Sequence, residues 1–154
     1  MIKRILFAFL FFIIGLLSYG QETEPKTALL VIDIQDFYFP EGDMPLYKPE
    51  AAAKNAALLV NNFRNNDDEV IFIRHNYEPG GSINKAVKPL EGEKVFSKDN
   101  VNAFMGTGLG QYLHELNIKK LVFCGMQTHM CVEAAVRAAS DMGYECVLIH
   151  NACT

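Results

Sequence analysis

The sequence is poor in metal-ligand patterns. It contains no CxxC pair and no HExxH, and its four histidines, His75, His114, His129 and His150, are scattered. None of the common zinc spacings is met, and no metal or other cofactor is expected. Basic side chains are also in the minority, with 14 Lys and Arg against 18 Asp and Glu. Two of the basic residues, Lys3 and Arg4, fall in a segment expected to be removed. Their loss leaves 12 basic side chains and a net charge of −6, which argues against nucleic acid or an anionic membrane and leaves a small-molecule partner. There are no internal repeats and no low-complexity tracts. The apolar run from Ile5 to Leu17 falls short of the ~20 residues that a spanning helix needs, so no stable membrane anchor is expected. Behind its basic start and before the small residues of Ser18-Tyr19-Gly20, that run reads as a signal peptide over residues 1–20, cleaved after Gly20. No cysteine lies near the cut to carry a lipid. The mature chain is then exported, to a periplasm or to the medium.

Residues 21–154 form one domain by length, large enough to build a core without disulfides or metal. Of the four cysteines, Cys124 and Cys146 fall in strand-like runs and Cys131 is wanted as a free thiol, so no structural disulfide is expected.

Apolar runs of strand length alternate with segments of helical period. Thr27 to Asp33 reads as the first strand, and Ala56, Leu59, Val60 and Phe63 mark the inner face of a helix that stops near Asn65. Val70 to Arg74 is the second strand and Val95 to Ser97 a short third. Leu109, Tyr112, Leu113 and Leu116 give another helical stripe, Leu121 to Cys124 the fourth strand, and Cys146 to His150 the fifth. Such alternation predicts an α/β fold, a three-layer α-β-α sandwich around an open, parallel, Rossmann-like sheet.

Chemistry concentrates where the fourth strand gives way to a helix, at Gly125-Met126-Gln127-Thr128-His129-Met130-Cys131-Val132. Val132, Ala135, Val136 and Ala139 recur at helical spacing, and the helix runs to Gly143, which suits a left-handed cap. If Thr128 caps this helix, Cys131 sits in its first turn, where unpaired N–H groups and the helix dipole favour a thiolate. The bland alternative is a small buried thiol. In an open sheet a crevice forms at the carboxyl ends of the strands where the winding reverses. If the first and fourth strands are neighbours there, Asp33 stands across from Cys131. Taken alone, Asp33 could equally be a turn acid and Lys98 a solvated surface lysine.

Leu30-Val31-Ile32-Asp33-Ile34-Gln35, Phe96-Ser97-Lys98 with Ala103-Phe104, and the segment around Cys131 together resemble the isochorismatase-like cysteine hydrolases, a family that includes nicotinamidases. The resemblance runs from Thr27 to the end of the chain. It implies a triad in which Cys131 is the nucleophile, Asp33 the acid and base, and Lys98 the electrostatic partner. It also implies a cis peptide at Met126–Gln127 that turns the N–H groups of Gln127 and Cys131 towards a developing oxyanion. Asp33→Asn would then leave a thiol that alkylates slowly, for want of a proton acceptor.

Departures narrow the function. The metal ligands that nicotinamidases carry after the second strand are replaced by Arg74-His75-Asn76-Tyr77, which disfavours nicotinamide and metal and leaves His75 to line the pocket. Phe37 stands where the family carries an acid, so Phe37, Tyr38, Phe104 and His129 are the other candidate wall residues, suited to small aromatic or apolar amides. The chain ends just after the fifth strand, where the family continues through another helix and usually a sixth strand. The domain is therefore expected to be short at its carboxyl end and to form a homo-oligomer. The expected activity is cleavage of a small amide C–N bond through a thioester. Hydrolysis of an isochorismate-like vinyl ether, or a non-catalytic thiol that binds or senses oxidants, are the alternatives.

Overall fold

The computed structural model describes residues 25–154; the signal peptide expected over 1–20 lies outside the described residues. Five parallel strands, β1 (Lys26–Ile32), β2 (Glu69–His75), β3 (Lys94–Lys98), β4 (Ile118–Gly125) and β5 (Glu145–Cys153), form one sheet in the order β3-β2-β1-β4-β5. Helix α1 (Pro49–Asn65) joins β1 to β2, α2 (Leu109–Glu115) joins β3 to β4, and α3 (Glu133–Asp141) joins β4 to β5. The chain winds outward from β1 to β3, then returns across β1 to lay down β4 and β5. The reversal therefore falls between β1 and β4, as expected, and the crevice opens at their carboxyl ends.

The three layers follow from side-chain alternation along β1. Leu29 and Val31 pack with Ala52, Ala53, Ala56 and Val60 of α1 on one face. Ala28, Leu30 and Ile32 meet Leu109 and Leu113 of α2 and Ala135 and Ala139 of α3 on the other. A strand covered on both sides has no polar face, which is why β1 reads as an unbroken apolar run. The small residues of α1 and α3 let these helices lie close to the sheet. Each fully buried Leu, Ile or Phe beneath them contributes ~1.5–3 kcal/mol, and this burial is the main force holding the layers together.

Every strand ends at a residue other than the one read from the sequence, β2 one later at His75 and β4 one later at Gly125, and the shifts at β1 and β3 matter most for the site. β1 stops at Ile32, because Asp33 adopts φ 47°. Aspartate tolerates that left-handed conformation better than most residues, and the turn lifts its carboxylate off the sheet while its N–H still donates to Ile73 O at 3.0 Å. β3 runs one residue further at each end than expected, which makes Lys98 its last residue and pairs it in register with His75. β5 also extends past His150 to Cys153, across a shift in register between Phe123 and Gly125 of β4. All four cysteines are free thiols.

Candidate active site

Four side chains meet at the carboxyl end of the sheet. Asp33 follows β1, His75 ends β2, Lys98 ends β3, and Cys131 lies in a π-helical turn, Thr128–Val132, between β4 and α3. The Lys98 Nζ lies 2.8 Å from Asp33 Oδ2, 3.0 Å from His75 Nδ1 and 3.2 Å from Cys131 Sγ. Neither the Lys98 nor the Asp33 side chain is exposed to solvent. An ammonium has three donors and no acceptor; this one hydrogen-bonds His75 and Cys131 and pairs by charge with Asp33. Both carboxylate oxygens of Asp33 are buried without a hydrogen bond of good geometry among the described residues, so the Lys98 contact at Oδ2 is an ion pair.

Two backbone features hold the halves of the site together. At Gly125, φ is 133° and a Cβ would collide with the Ile32 carbonyl, while the next N–H, of Met126, donates to Ile32 O at 2.8 Å. Only glycine lets β4 end this close to β1. The peptide bond between Met126 and Gln127 is cis. In the turn that follows, Thr128 N–H donates to Thr154 O at 2.9 Å, and those of Met130 and Val132 donate to Gln127 O at 3.1 and 3.2 Å. Gln127, not Thr128, is the residue that precedes the turn, and no side chain caps it. The capping role expected of Thr128 is therefore not met, although Cys131 does lie in the first turn.

Electrostatics weigh against the thiolate that a capped first turn would favour. Burial pushes the Cys131 thiol up to about 11, the Asp33 charge adds to the rise, and Lys98 offsets only part of it. Burial raises the Asp33 carboxyl too, against the lowering pull of Lys98. A first turn in which the N–H groups of Thr128, Met130 and Val132 are already bonded is a weaker effect than the desolvation of a sulfur beside a carboxylate. The resting group is a thiol.

Of the expected wall residues, Tyr38 is brought to the site: its hydroxyl shares a hydrogen bond with the Gln127 side chain and is pushed up to about 12 by burial and by the neighbouring sulfur. Phe37 is almost fully buried behind it, with ring centroids 4.2 Å from Tyr38 and 4.6 Å from Tyr77. Phe104 is half-buried against Tyr144, in the same apolar cluster as Cys131. His129 is exposed and lines a different cavity of about 410 Å³, shared with Val136 and Leu148. The sequence reading assigned no role to Gln35, although a polar residue between Ile34 and Phe37 was a signal. It is fully buried; its amide donates to His75 O at 2.9 Å and Gly81 O at 2.7 Å, and its carbonyl accepts from His75 N–H at 2.7 Å.

Asp33, His75 and Cys131 offer ligand atoms within 4.8 Å of one another. The set does not fit a divalent ion, because the Lys98 ammonium sits among all three and a metal would have to displace a buried cation from its partners.

The sequence profile of the Isochorismatase domain matches residues 27–154. The isochorismatase family protein YddQ of Bacillus subtilis is 45% identical over 138 residues, covering 82% of this chain and 77% of its own. A streptothricin hydrolase of Streptomyces noursei is 32% identical over 134 residues, covering 81% of this chain but 48% of its own. The crystal structure of an isochorismatase from Pseudomonas putida superposes with a TM-score of 0.79 at 33% identity, covering 87% of this chain and 75% of that one. With the doubly wound sheet and the matching span on the page, the chain belongs to the isochorismatase family and is a hydrolase of it.

Proposed function

We propose that this protein is an exported cysteine hydrolase that cleaves a C–N bond of a small amide through a thioester on Cys131. The observation that carries the reading is the convergence of the Asp33 carboxylate, the Lys98 ammonium and the Cys131 sulfur in one buried cluster. As the Cys131 sulfur attacks the amide carbon, its proton passes to Asp33, whose buried carboxylate lies within 4.8 Å of the sulfur and has no hydrogen bond to give up. The carbonyl oxygen becomes an oxyanion facing the N–H groups of Gln127 and Cys131. Collapse breaks the C–N bond, and the amine leaves with the proton that Asp33 received. Water then attacks the thioester and gives a proton to Asp33. The acid departs, and the sulfur regains its proton.

The transfer leaves the net charge of the cluster unchanged, carboxylate with thiol becoming carboxylic acid with thiolate, and the Lys98 ammonium stabilises either. Raising the Asp33 carboxyl by burial brings it nearer to the thiol it must deprotonate, which is what a general base needs. Tyr38 and Phe104 give the surroundings an aromatic character suited to small aromatic or apolar amides.

The test is intact-protein mass spectrometry after incubation with a panel of small amides, beside product assays. An acyl adduct that maps to Cys131, and loss of both adduct and hydrolysis in Cys131→Ala, are the expected results. Turnover that survives Cys131→Ala would point to acid catalysis by Asp33 on a vinyl ether. Reversible sulfenate formation with no turnover would leave a thiol sensor.

A further inference from the structure

We propose that His75 is a positioning residue for this chemistry, its Nδ1 lone pair accepting an N–H of the Lys98 ammonium and so fixing that cation against Asp33 and Cys131. The inference rests on the hydrolase reading above and assigns a role to a residue outside its triad.

Donor counting gives the first step. Lys98 is buried; its ammonium hydrogen-bonds Cys131 Sγ and His75 Nδ1 at 3.2 and 3.0 Å and pairs by charge with Asp33 Oδ2 at 2.8 Å. The ammonium can only donate, so Nδ1 must carry a lone pair and the ring proton must sit on Nε2. Without this acceptor one N–H of a buried cation would be unpaired, a penalty of ~1–3 kcal/mol. Charge counting gives the second step. A carboxylate at position 75 would accept the same bond but place a second negative group beside the sulfur, holding its proton more tightly. A neutral imidazole satisfies the lysine and leaves its charge for the thiolate.

The structure is built to keep the ring there. His75 pairs with Lys98 in register across β2 and β3, so both side chains leave the same face of the sheet. Gln35 clamps the His75 backbone at both its N–H and its carbonyl. The ionisable groups around the Lys98 head are Asp33 after β1, Cys131 in the π-helical turn, and His75 itself, with the Tyr38 hydroxyl beside the sulfur. Because the backbone of residue 75 is held independently of its side chain, substitutions there can be read without loss of the strand.

The experiment compares His75→Asn, His75→Ala and His75→Asp in the full mature chain, by kcat on a small amide, by the pH dependence of Cys131 alkylation with iodoacetamide, and by thermal melting as a check on folding. The Asn carbonyl oxygen lies as many bonds from Cα as Nδ1 does, and this variant should stay close to wild type. His75→Ala should lose about ten- to a hundredfold in kcat, from the unpaired donor. His75→Asp should move the alkylation midpoint to higher pH by about one unit. Wild-type kinetics in His75→Ala, an Asn variant no better than Ala, or an unmoved midpoint in His75→Asp would each overturn the proposal. Failure of the hydrolase reading is separable. A wild-type protein that forms no acyl adduct refutes that reading, while the alkylation profiles need no substrate and still decide the role of His75.

Discussion

Cys131 and Asp33 each hold a proton more tightly than in water, and for the same first reason, loss of hydration. A thiol at about 11 beside a carboxyl that is also raised means that the nucleophile is made only when the proton crosses to the acid. This changes what Asp33→Asn should do. Loss of the acceptor removes general acid and base catalysis, so hydrolysis should fall by ~10²–10⁴-fold. Alkylation, however, should not slow as expected from the sequence. The Asp33 charge is one of the causes that raise the thiol, while Lys98 lowers it. Removing the negative group and keeping the positive one should bring the alkylation midpoint below about 11. A midpoint that stays put or rises would show that Asp33 does not act on the sulfur through its charge. At this scale Asp33 and Cys131 were legible, since each lies at a strand end where the winding reverses. Lys98 and His75 were not: their meeting depends on the register of β2 against β3, which nothing in Phe96-Ser97-Lys98 reveals without the family resemblance.

Among the elements, the join from β4 to α3 bears most of the functional geometry, and Gly125 is its tightest point. Gly125→Ala should cost ~3 kcal/mol or more, because the new Cβ would overlap the Ile32 carbonyl and φ 133° is strained for an L residue. In a domain of this size that lowers the melting temperature by about 10 °C. Gly92→Ala is the control: its φ is also positive, at 92°, but nothing lies within 4 Å of the new Cβ, so only the backbone penalty of ~1–2 kcal/mol remains. Equal losses in the two variants would show that close approach to β1 is not what requires Gly125. Helix faces were readable because Ala56, Val60, Leu109, Leu113, Ala135 and Ala139 keep helical spacing and are all buried. The π-helical turn was not readable. Its N–H groups donate to the Gln127 and Thr154 carbonyls, and Thr154 is the residue just past β5, far away in sequence.

For the whole molecule, the parallel sheet followed from the sequence because every strand but the edges is apolar on both faces, and only a parallel sheet wrapped by helices hides both; its order, with β1 beside β4, entered the sequence reading only as a condition and is read from the structure. The two edges differ. β3 is only five residues long and begins with the exposed Lys94, the short, charged kind of edge that resists pairing with another chain. β5 is nine residues long and contains Val147, Leu148 and Ile149 in succession. Leu148 is 43% exposed and lines the apolar groove that also holds Val132, Val136 and His129. A long edge with unpaired backbone groups beside an apolar groove is a surface that a second copy of the chain can cover, gaining both strand pairing and burial. Sedimentation velocity on the mature protein should therefore show a dimer or larger species. Leu148→Lys should shift it towards monomer with little change in melting temperature, since a half-exposed side chain contributes little to the fold of one copy but its charge would be buried between two. A wild-type chain that stays monomeric at every concentration would refute this account, and a Leu148→Lys variant that still associates would move the contact away from β5.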